Sequence, residues 1–482
     1  MNIHPQSGKL LKRRRTKIVA TVGPASVEPG ILRDLIRAGV DVFRLNLSHG
    51  DHGTHRTAFE RVRAAAAELQ QPVAILADLC GPKIRVGRFA EGRIELKAGE
   101  SVVVTTRNVV GEPGLIPSQY AALAADVRVG NRILLDDGML ELRVLSVSET
   151  EVKCEVVTGG VLKDRKGMNL PGVAVSAPAL TDKDRDDAHF ALELGVDFLA
   201  LSFVRRPADV EDLKGLISSL EMNTPVIAKI EKPEALDSIE EILDAADGLM
   251  VARGDLGVEL APEAVPIVQH ELVSRARRKN KPVIVATQML ESMIEHPRPT
   301  RAEVSDVSHA VFGGADAVML SAETASGQYP IKAVEMMDRV ARQVEAWQWV
   351  EGAFRSITAD EKVKPPPLPL RQAVARSTAQ LSRDLQVRAV VVRSEGGISA
   401  SVVAATRPAA PVVALTTDAA VCRRMNLLWG VVPRQLGQDE FEKTDEIARR
   451  VVRELGLAEA GQVILLLAGF GKREPSVKVL PV

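Results

Sequence analysis

The chain has 482 residues, room for about three domains at roughly 150 residues each. Hydrophobic residues make up 46% and charged residues 26%, which excludes a disordered chain and provides for full cores. With 62 Lys plus Arg against 63 Asp plus Glu and only 3% aromatics, the chain lacks the excess cation and stacking surface that nucleic-acid binding draws on.

The opening MNIHPQSGKLLKRRRTKIV is basic but has neither the apolar stretch nor the cleavage site of a signal peptide, and Lys12–Arg15 reads as a solvated arm. From Lys17 on, short β-branched runs alternate with longer amphipathic segments, the pattern of βα units around a parallel sheet. Strands are expected at 17–23, 41–47, 73–79, 197–203, 225–231, 248–255, 281–287 and 316–321. Eight such units predict an α/β fold, a (β/α)8 barrel spanning 1–87 and 169–350. Across 88–168 the text changes to short alternating runs such as RIELKAG, SVVVTT and VKCEVV, which predict an all-β lid domain, a small β-barrel, inserted after the third strand. Such an insertion emerges on the face where barrel enzymes do chemistry.

The run Arg275–Lys281 reads as the solvated end of a helix, and QMLESM (288–293) as helix packing. A long helix ends near Val350, and the proline-rich KVKPPPLPL reads as a linker. Residues 360–482 are expected to form a separate C-terminal three-layer α/β domain. Cys80, Cys154 and Cys422 are far apart and in no metal-ligand spacing, which suits a reducing compartment. The longest apolar run, near Val463–Phe470, is too short to span a bilayer, so the expectation is a cytoplasmic protein without a membrane partner.

The polar residues that interrupt the apolar strands fall at their C-terminal ends. Arg44, Asn46 and Ser48 share one face of the second strand by alternation, as do Lys229 and Glu231 on the fifth. Asp78, Asp255 and Thr287 are expected to end the third, sixth and seventh strands. Glu231 and Asp255 form a carboxylate pair suited to Mg²⁺, which takes one or two carboxylates plus substrate oxygens. Arg44, Arg85 and Lys229 around that pair suggest a multiply anionic substrate beside a metal, the arrangement phosphoryl transfer needs.

On TKIVATVGPAS, RLNLSHG, GPKIR, RKGMNLPG, AKIEKPEAL, MVARGDLGVEL, KPVIVATQMLESM and PTRAEVSDVSHAVFGGADAVMLSAET, the chain resembles the pyruvate kinases. The resemblance implies phosphoryl transfer from phosphoenolpyruvate to ADP, giving pyruvate and ATP, with Mg²⁺ or Mn²⁺ as cofactor. It implies that Arg44 binds the transferring phosphoryl group, that Glu231 and Asp255 hold the metal, and that Lys229 sits over the transition state. The backbone at Gly254 and Asp255 would take the substrate carboxylate, and Thr287 would belong to a proton relay ending in ordered water. His49, Arg85 and Lys166 would contact the nucleotide.

In the potassium-dependent members a monovalent cation is held by residues corresponding to Asn46, Ser48, Asp78 and Leu79. Here the segment reads Asp78-Leu79-Cys80-Gly81-Pro82-Lys83, with Lys83 where those members carry Glu, so K⁺ is expected not to be required. The resemblance also implies a homotetramer. The stretch SEGGISAS (394–401), with Ser394, Gly397 and Ser399, resembles the family's phosphate loop for a sugar-phosphate or AMP effector. The readings set against this are a Mg-dependent pyruvate or oxaloacetate aldolase or lyase on a related barrel, and a catalytically dead sensor. The lid with its RKGMNLPG edge and Lys229 beside Glu231 argue against the first, and the presence of Arg44, Lys229, Glu231, Asp255 and Thr287 together argues against the second.

Overall fold

Short, mostly apolar runs build eight short strands: Lys17–Thr21, Val42–Asn46, Ala74–Asp78, Phe198–Leu201, Val226–Ile230, Gly248–Ala252, Val283–Ala286 and Ala317–Leu320. In this computed structural model, which describes residues 11, 13–358, 367–441, 444–469 and 475–482, each pairs in parallel with its neighbours and the first closes on the eighth. Lys12, residues 359–366 of the proline-rich stretch and residues 470–474 lie outside the described residues.

Alternate residues point into the barrel. Val42, Leu76, Phe198, Ile227, Met250 and Ile284 form part of one interior cluster. Two residues further along the second, third and fifth strands, the inward positions become Arg44, Asp78 and Lys229, and Ser202 follows four residues after Phe198, so the interior changes from apolar to polar and charged on the way to its upper rim. The sixth strand differs from expectation. Its ladder ends at Ala252, and Asp255 lies in the first turn of the helix Arg253–Glu259. Gly254 and Gly257 do not prevent that helix, because its first turn is anchored from outside by Thr287.

The lower rim is built on aspartates that precede alternate strands. The N–H of Ile18 donates to Asp41 (2.9 Å), Ile75 to Asp197 (2.8 Å), Val226 to Asp247 (2.9 Å) and Val283 to Asp316 (3.2 Å). Each satisfies an amide of the neighbouring strand that the staggered ladder leaves unpaired. Cations then neutralise the belt: Arg14 and Lys17 on Asp41, Arg63 and Arg423 on Asp197, Lys214 on Asp247, and Arg407 on Asp316.

That belt corrects the reading of Arg14 and Arg15 as a solvated arm. Arg14 pairs with both Asp41 (2.6 Å) and Asp338 (2.8 Å). Arg15 is buried, its N–H and that of Thr16 each donating to Glu345 at 2.7 Å. Nor is the run from Arg275 wholly solvated, since Arg277 is buried at the end of the helix Val265–Arg278.

The insertion after the third strand forms a six-stranded sheet and a two-stranded ribbon around one core that includes Val104, Ile133, Leu142 and Leu162. Its strand order is open, not the closed small barrel expected. The C-terminal region forms a five-stranded sheet with apolar cores on both faces, hence three layers. Its last strand, Ser476–Pro481, runs antiparallel at the edge and is unforeseen by sequence. Its mostly exposed pattern with Lys478 and Pro481 is that of a blunted edge, which hides the alternation a buried strand displays.

The barrel and the C-terminal region are joined by more than the belt. Leu427, in the turn Met425–Leu427, is fully buried within the barrel's interior cluster and plugs its lower end. Replacing a buried Leu by Ala costs about 2–5 kcal/mol through lost transfer energy and the cavity left behind. Leu427→Ala is therefore expected to lower the urea midpoint of the transition that separates these two parts. Ile398→Ala, at an exposed position in the same domain, is expected to leave the midpoint nearly unchanged. Equal midpoints for the two variants would contradict the plug.

Candidate active site

At the upper rim the inward side chains form a chain of alternating charge. Arg44 donates through Nε to Asp78 Oδ2 (2.7 Å) and through Nη1 to the Thr21 hydroxyl (3.1 Å). Asp78 Oδ1 lies 3.1 Å from Lys229 Nζ, which also meets Glu231 Oε1 (3.0 Å) and donates to Ser202 Oγ (2.6 Å). Glu231 Oε2 accepts the N–H of Phe203 (2.7 Å). All four charged residues are buried.

Their ionisation follows from these contacts. Burial alone would raise the pKa of Asp78, but Lys229 and Arg44 reverse the effect and hold it below the usual carboxylate range. Burial works against charge on Lys229, and the attraction of Asp78 and Glu231 outweighs it, keeping the ammonium protonated above its ordinary range. Glu231 goes the other way. Burial raises it and Asp255 adds to that, with Lys229 opposing only in part.

Asp255 is more open, 3.8 Å from Lys83 Nζ. Thr287 follows the seventh strand at φ 70°, an uncommon conformation for a β-branched residue. Its hydroxyl accepts the N–H of Gly254 (2.7 Å) and donates to Ala286 O (2.6 Å). Arg253 fixes this corner, donating to Thr287 O (2.7 Å) and pairing with Asp306 (2.5 Å). A cleft of about 610 Å³ opens here, lined by Lys83, Arg253, Asp255, Thr287 and, from the lid, Asp137. Glu323 is buried on its wall, its carboxylate accepting the N–H groups of Leu290 and Ser321, and burial raises its pKa.

The lid brings Lys166, paired with Asp136 at 2.7 Å, and Arg85, which donates to Arg165 O at 3.0 Å. His49 sits beyond Asn46, its pKa lowered by burial and by Arg85, Arg44 and Lys83. Asn46 Oδ1 accepts the Ser48 N–H (3.3 Å), and Leu79 O accepts the Ser202 hydroxyl (2.7 Å). Away from the barrel rim, Ser394 Oγ is buried and accepts the N–H of Ala400 (3.1 Å), while Gly397 takes φ 81° ahead of the helix Ile398–Ala405.

Sequence reading missed Ser202, Arg253, Asp137 and Glu323. Ser202 was legible as the inward position two residues beyond Ala200; Arg253 and Glu323 bond to Asp306 and Leu290, 53 and 33 residues away, and Asp137 reaches the cleft through the fold of the lid.

The site and barrel coincide with a known design. Residues 13–334 match the barrel domain of pyruvate kinase, and 372–478 match its alpha/beta domain. The chain belongs to the pyruvate kinase family. It is 44% identical over 461 residues to pyruvate kinase 2 of Synechocystis, covering 95% of this chain and 76% of that one. A pyruvate kinase of Agrobacterium vitis is 44% identical over 460 residues, covering 95% and 94%. The crystal structure of a pyruvate kinase from Cryptosporidium parvum superposes with a TM-score of 0.90 at 35% identity, covering 97% and 96%. The aldolase or lyase reading is therefore not favoured, and pyruvate kinases use Mg²⁺ as a cofactor. Among the described residues no helix is long and apolar enough to cross a membrane.

The charge chain sets a pH dependence. A carboxylate whose folded pKa is depressed adds stability above its unfolded value of about 3.9, and that stability is lost as pH falls through the folded value. Asp78→Asn removes the carboxylate paired with Arg44 and leaves Lys229 with Glu231 alone, and is expected to cost about 3 kcal/mol at pH 7. The gap from the parent protein should close as pH falls below about 4, read as urea midpoints across pH 3–7. A gap that persists unchanged to pH 3 would contradict the assignment.

Proposed function

We propose that this rim transfers a phosphoryl group from phosphoenolpyruvate to ADP, giving pyruvate and ATP, with the roles divided as follows. Arg44 binds the transferring phosphoryl group and Lys229 stabilises charge on its equatorial oxygens. The observation that carries this is the chain Arg44–Asp78–Lys229–Glu231, which fixes two cations side by side in a water-poor barrel mouth before any substrate arrives. Preorganised cations of this kind do not have to reorient as charge develops.

Glu231 and Asp255 fit a divalent cation. They are hard oxygen donors, with Asp255 close enough to oppose the ionisation of Glu231, and the ammonium of Lys83 lies 3.8 Å from Asp255. Two carboxylates suit Mg²⁺, which completes its shell with water and substrate oxygens. When bound, the ion would supply neutralising charge on those oxygens.

Thr287 positions the helix that carries Asp255, and a substrate carboxylate at the helix start would take over the Gly254 N–H it now accepts. Its hydroxyl proton is committed to Ala286 O, which supports ordered water as the proton donor to the enolate. Arg85 and Lys166 with His49 would hold the nucleotide, the lid's two limbs closing over it. Ser394, Gly397 and Ser399 would bind a phosphorylated effector. With the Ser394 hydroxyl already capping Ala400, Ser399 and the loop N–H groups carry that reading. A homotetramer accords with the exposed aromatic edge of Phe312 and Trp347.

Lys83 replaces a monovalent cation in this reading. Its ammonium already lies in the cleft, and the acceptors that would hold K⁺ are engaged: Asp78 by Arg44 and Lys229, Leu79 O by Ser202, Asn46 by Ser48.

Two experiments test these assignments. Lys229→Met is expected to lower kcat by at least about 100-fold with the KM for phosphoenolpyruvate far less affected, in an assay coupling pyruvate formation to its reduction. An unchanged kcat would remove Lys229 from the mechanism. Initial rates in tetramethylammonium buffer with Mg²⁺ are expected to be the same with and without KCl. A fall of more than about 10-fold without KCl, equivalent to about 1.4 kcal/mol of transition-state stabilisation, would show that Lys83 does not replace the ion.

A further inference from the structure

The helix Arg253–Glu259 carries Asp255 in its first turn and ends on Glu259, whose side chain is almost fully buried. Glu259 Oε1 takes two donors: Lys232 Nζ at 2.5 Å and Asn169 Nδ2 at 3.3 Å. Among the described residues its other oxygen has no hydrogen-bond partner. Lys232 directly follows Glu231 in the chain. Asn169 lies on the lid's returning strand, Met168–Asn169, which is paired to the lid sheet at Leu134 and Leu135.

One buried oxygen therefore joins three bodies: the helix that holds Asp255, the strand end that holds Glu231, and the lid. The two donors are unequal. Lys232 is charged, close and itself buried, so a buried carboxylate cannot release it without leaving two unpaired charges. Asn169 is neutral and longer by 0.8 Å, the difference of the two distances, and is the arm that a lid movement breaks first.

We propose that Glu259 is a positioning residue that latches the lid to the metal carboxylates, so that seating the lid through Asn169 and holding the cation between Glu231 and Asp255 favour one another. This rests on the metal reading above. Coupling of this kind is reciprocal: the factor by which the cation stabilises the seated lid is the factor by which the seated lid tightens the cation. None of Asn169, Lys232 and Glu259 is among the residues assigned above to the transferring group, so the latch acts on affinity and lid position.

The test uses the full chain without substrates, and Mn²⁺ as the probe. Mn²⁺ affinity is measured by calorimetry, and amide hydrogen exchange is followed in residues 168–177 with and without the ion. In the parent protein Mn²⁺ is expected to slow exchange there by about five-fold or more. Asn169→Ala cuts only the lid's arm and is expected to reduce that protection to less than about two-fold, weaken Mn²⁺ by a matching factor, and leave the thermal midpoint in place. Asn169→Ser, whose hydroxyl is too short to reach Glu259, is the second variant should the alanine form fold poorly. Mn²⁺ that binds the parent while Asn169→Ala keeps both its protection and its affinity overturns the latch alone. Mn²⁺ that fails to bind the parent overturns the metal reading as well.

Discussion

Asp78 is the constraint from which the rest of the site follows. It holds Arg44 on one oxygen and Lys229 on the other at the bottom of a closed mouth. Burying any of these charges alone would be prohibitive, and burying three in a row is tolerable only because each has its opposite within 3.1 Å. The arrangement is poor as a stability device, since well-packed apolar residues would serve as well. Its value is electrostatic: two cations are held fixed, protonated and mostly dry. Adding Glu231 and Asp255 to Arg44, Asp78 and Lys229 leaves three carboxylates against two cations, one negative charge in excess. Lys83 balances that excess, and a divalent cation would add two positive charges for an anionic substrate to meet.

The same strands that support this chain explain why it can exist. Their inward positions are apolar below and charged above, so the charged layer rests on a dry, packed floor that water does not enter from beneath. The floor is not made by the barrel alone. Leu427 closes it from the C-terminal region, while Arg407 and Arg423 neutralise aspartates whose second oxygens tie adjacent strands together. Arg407 is fully buried, at φ 49°, with its guanidinium 5.0 Å from the Trp429 ring. A C-terminal region docked in this way is part of the barrel's foundation, and its attachment bears on the rigidity of the mouth above.

Much of this was legible in the sequence, for a definite reason. Strand alternation is a local rule, so Arg44 with Asn46 and Lys229 with Glu231 could be placed on shared faces from their spacing alone. The apolar run 281–287 placed Thr287 at a strand end, and the short alternating runs across 88–168 located the lid. What escaped depends on partners far away. The aspartates of Asp41, Asp197, Asp247 and Asp316 stand visibly before strands, yet nothing local says that Arg407 will bury itself on one of them 91 residues earlier. Arg14 and Arg15 read as a solvated arm because their carboxylates lie on other elements. Asp255 was misplaced onto a strand because the apolar run before it carries no stop signal. The helix begins where Thr287, from the next strand, accepts the Gly254 N–H.

The turn after the fourth strand shows how closely the lid and the charge chain are built together. Within four residues, Ser202 accepts from Lys229, the N–H of Phe203 donates to Glu231, and Arg205 donates to the carbonyls of Val175 and Ala177 on the lid's returning limb. Phe203 adopts φ 54°, a conformation that costs a bulky residue about 1–3 kcal/mol. The strain is retained because a relaxed backbone would turn that N–H away from a buried carboxylate, and an unsatisfied charge of that kind costs more. The outgoing limb is shaped to the same turn. A Cβ on Gly81 would come within 2.7 Å of the Phe203 ring and 2.9 Å of Ser202 Cβ, so only glycine lets the chain pass into the lid at φ 66°. Both limbs of the lid thus bear on the four residues that orient Lys229 and Glu231. The lid cannot move without acting on the groups that hold the charge.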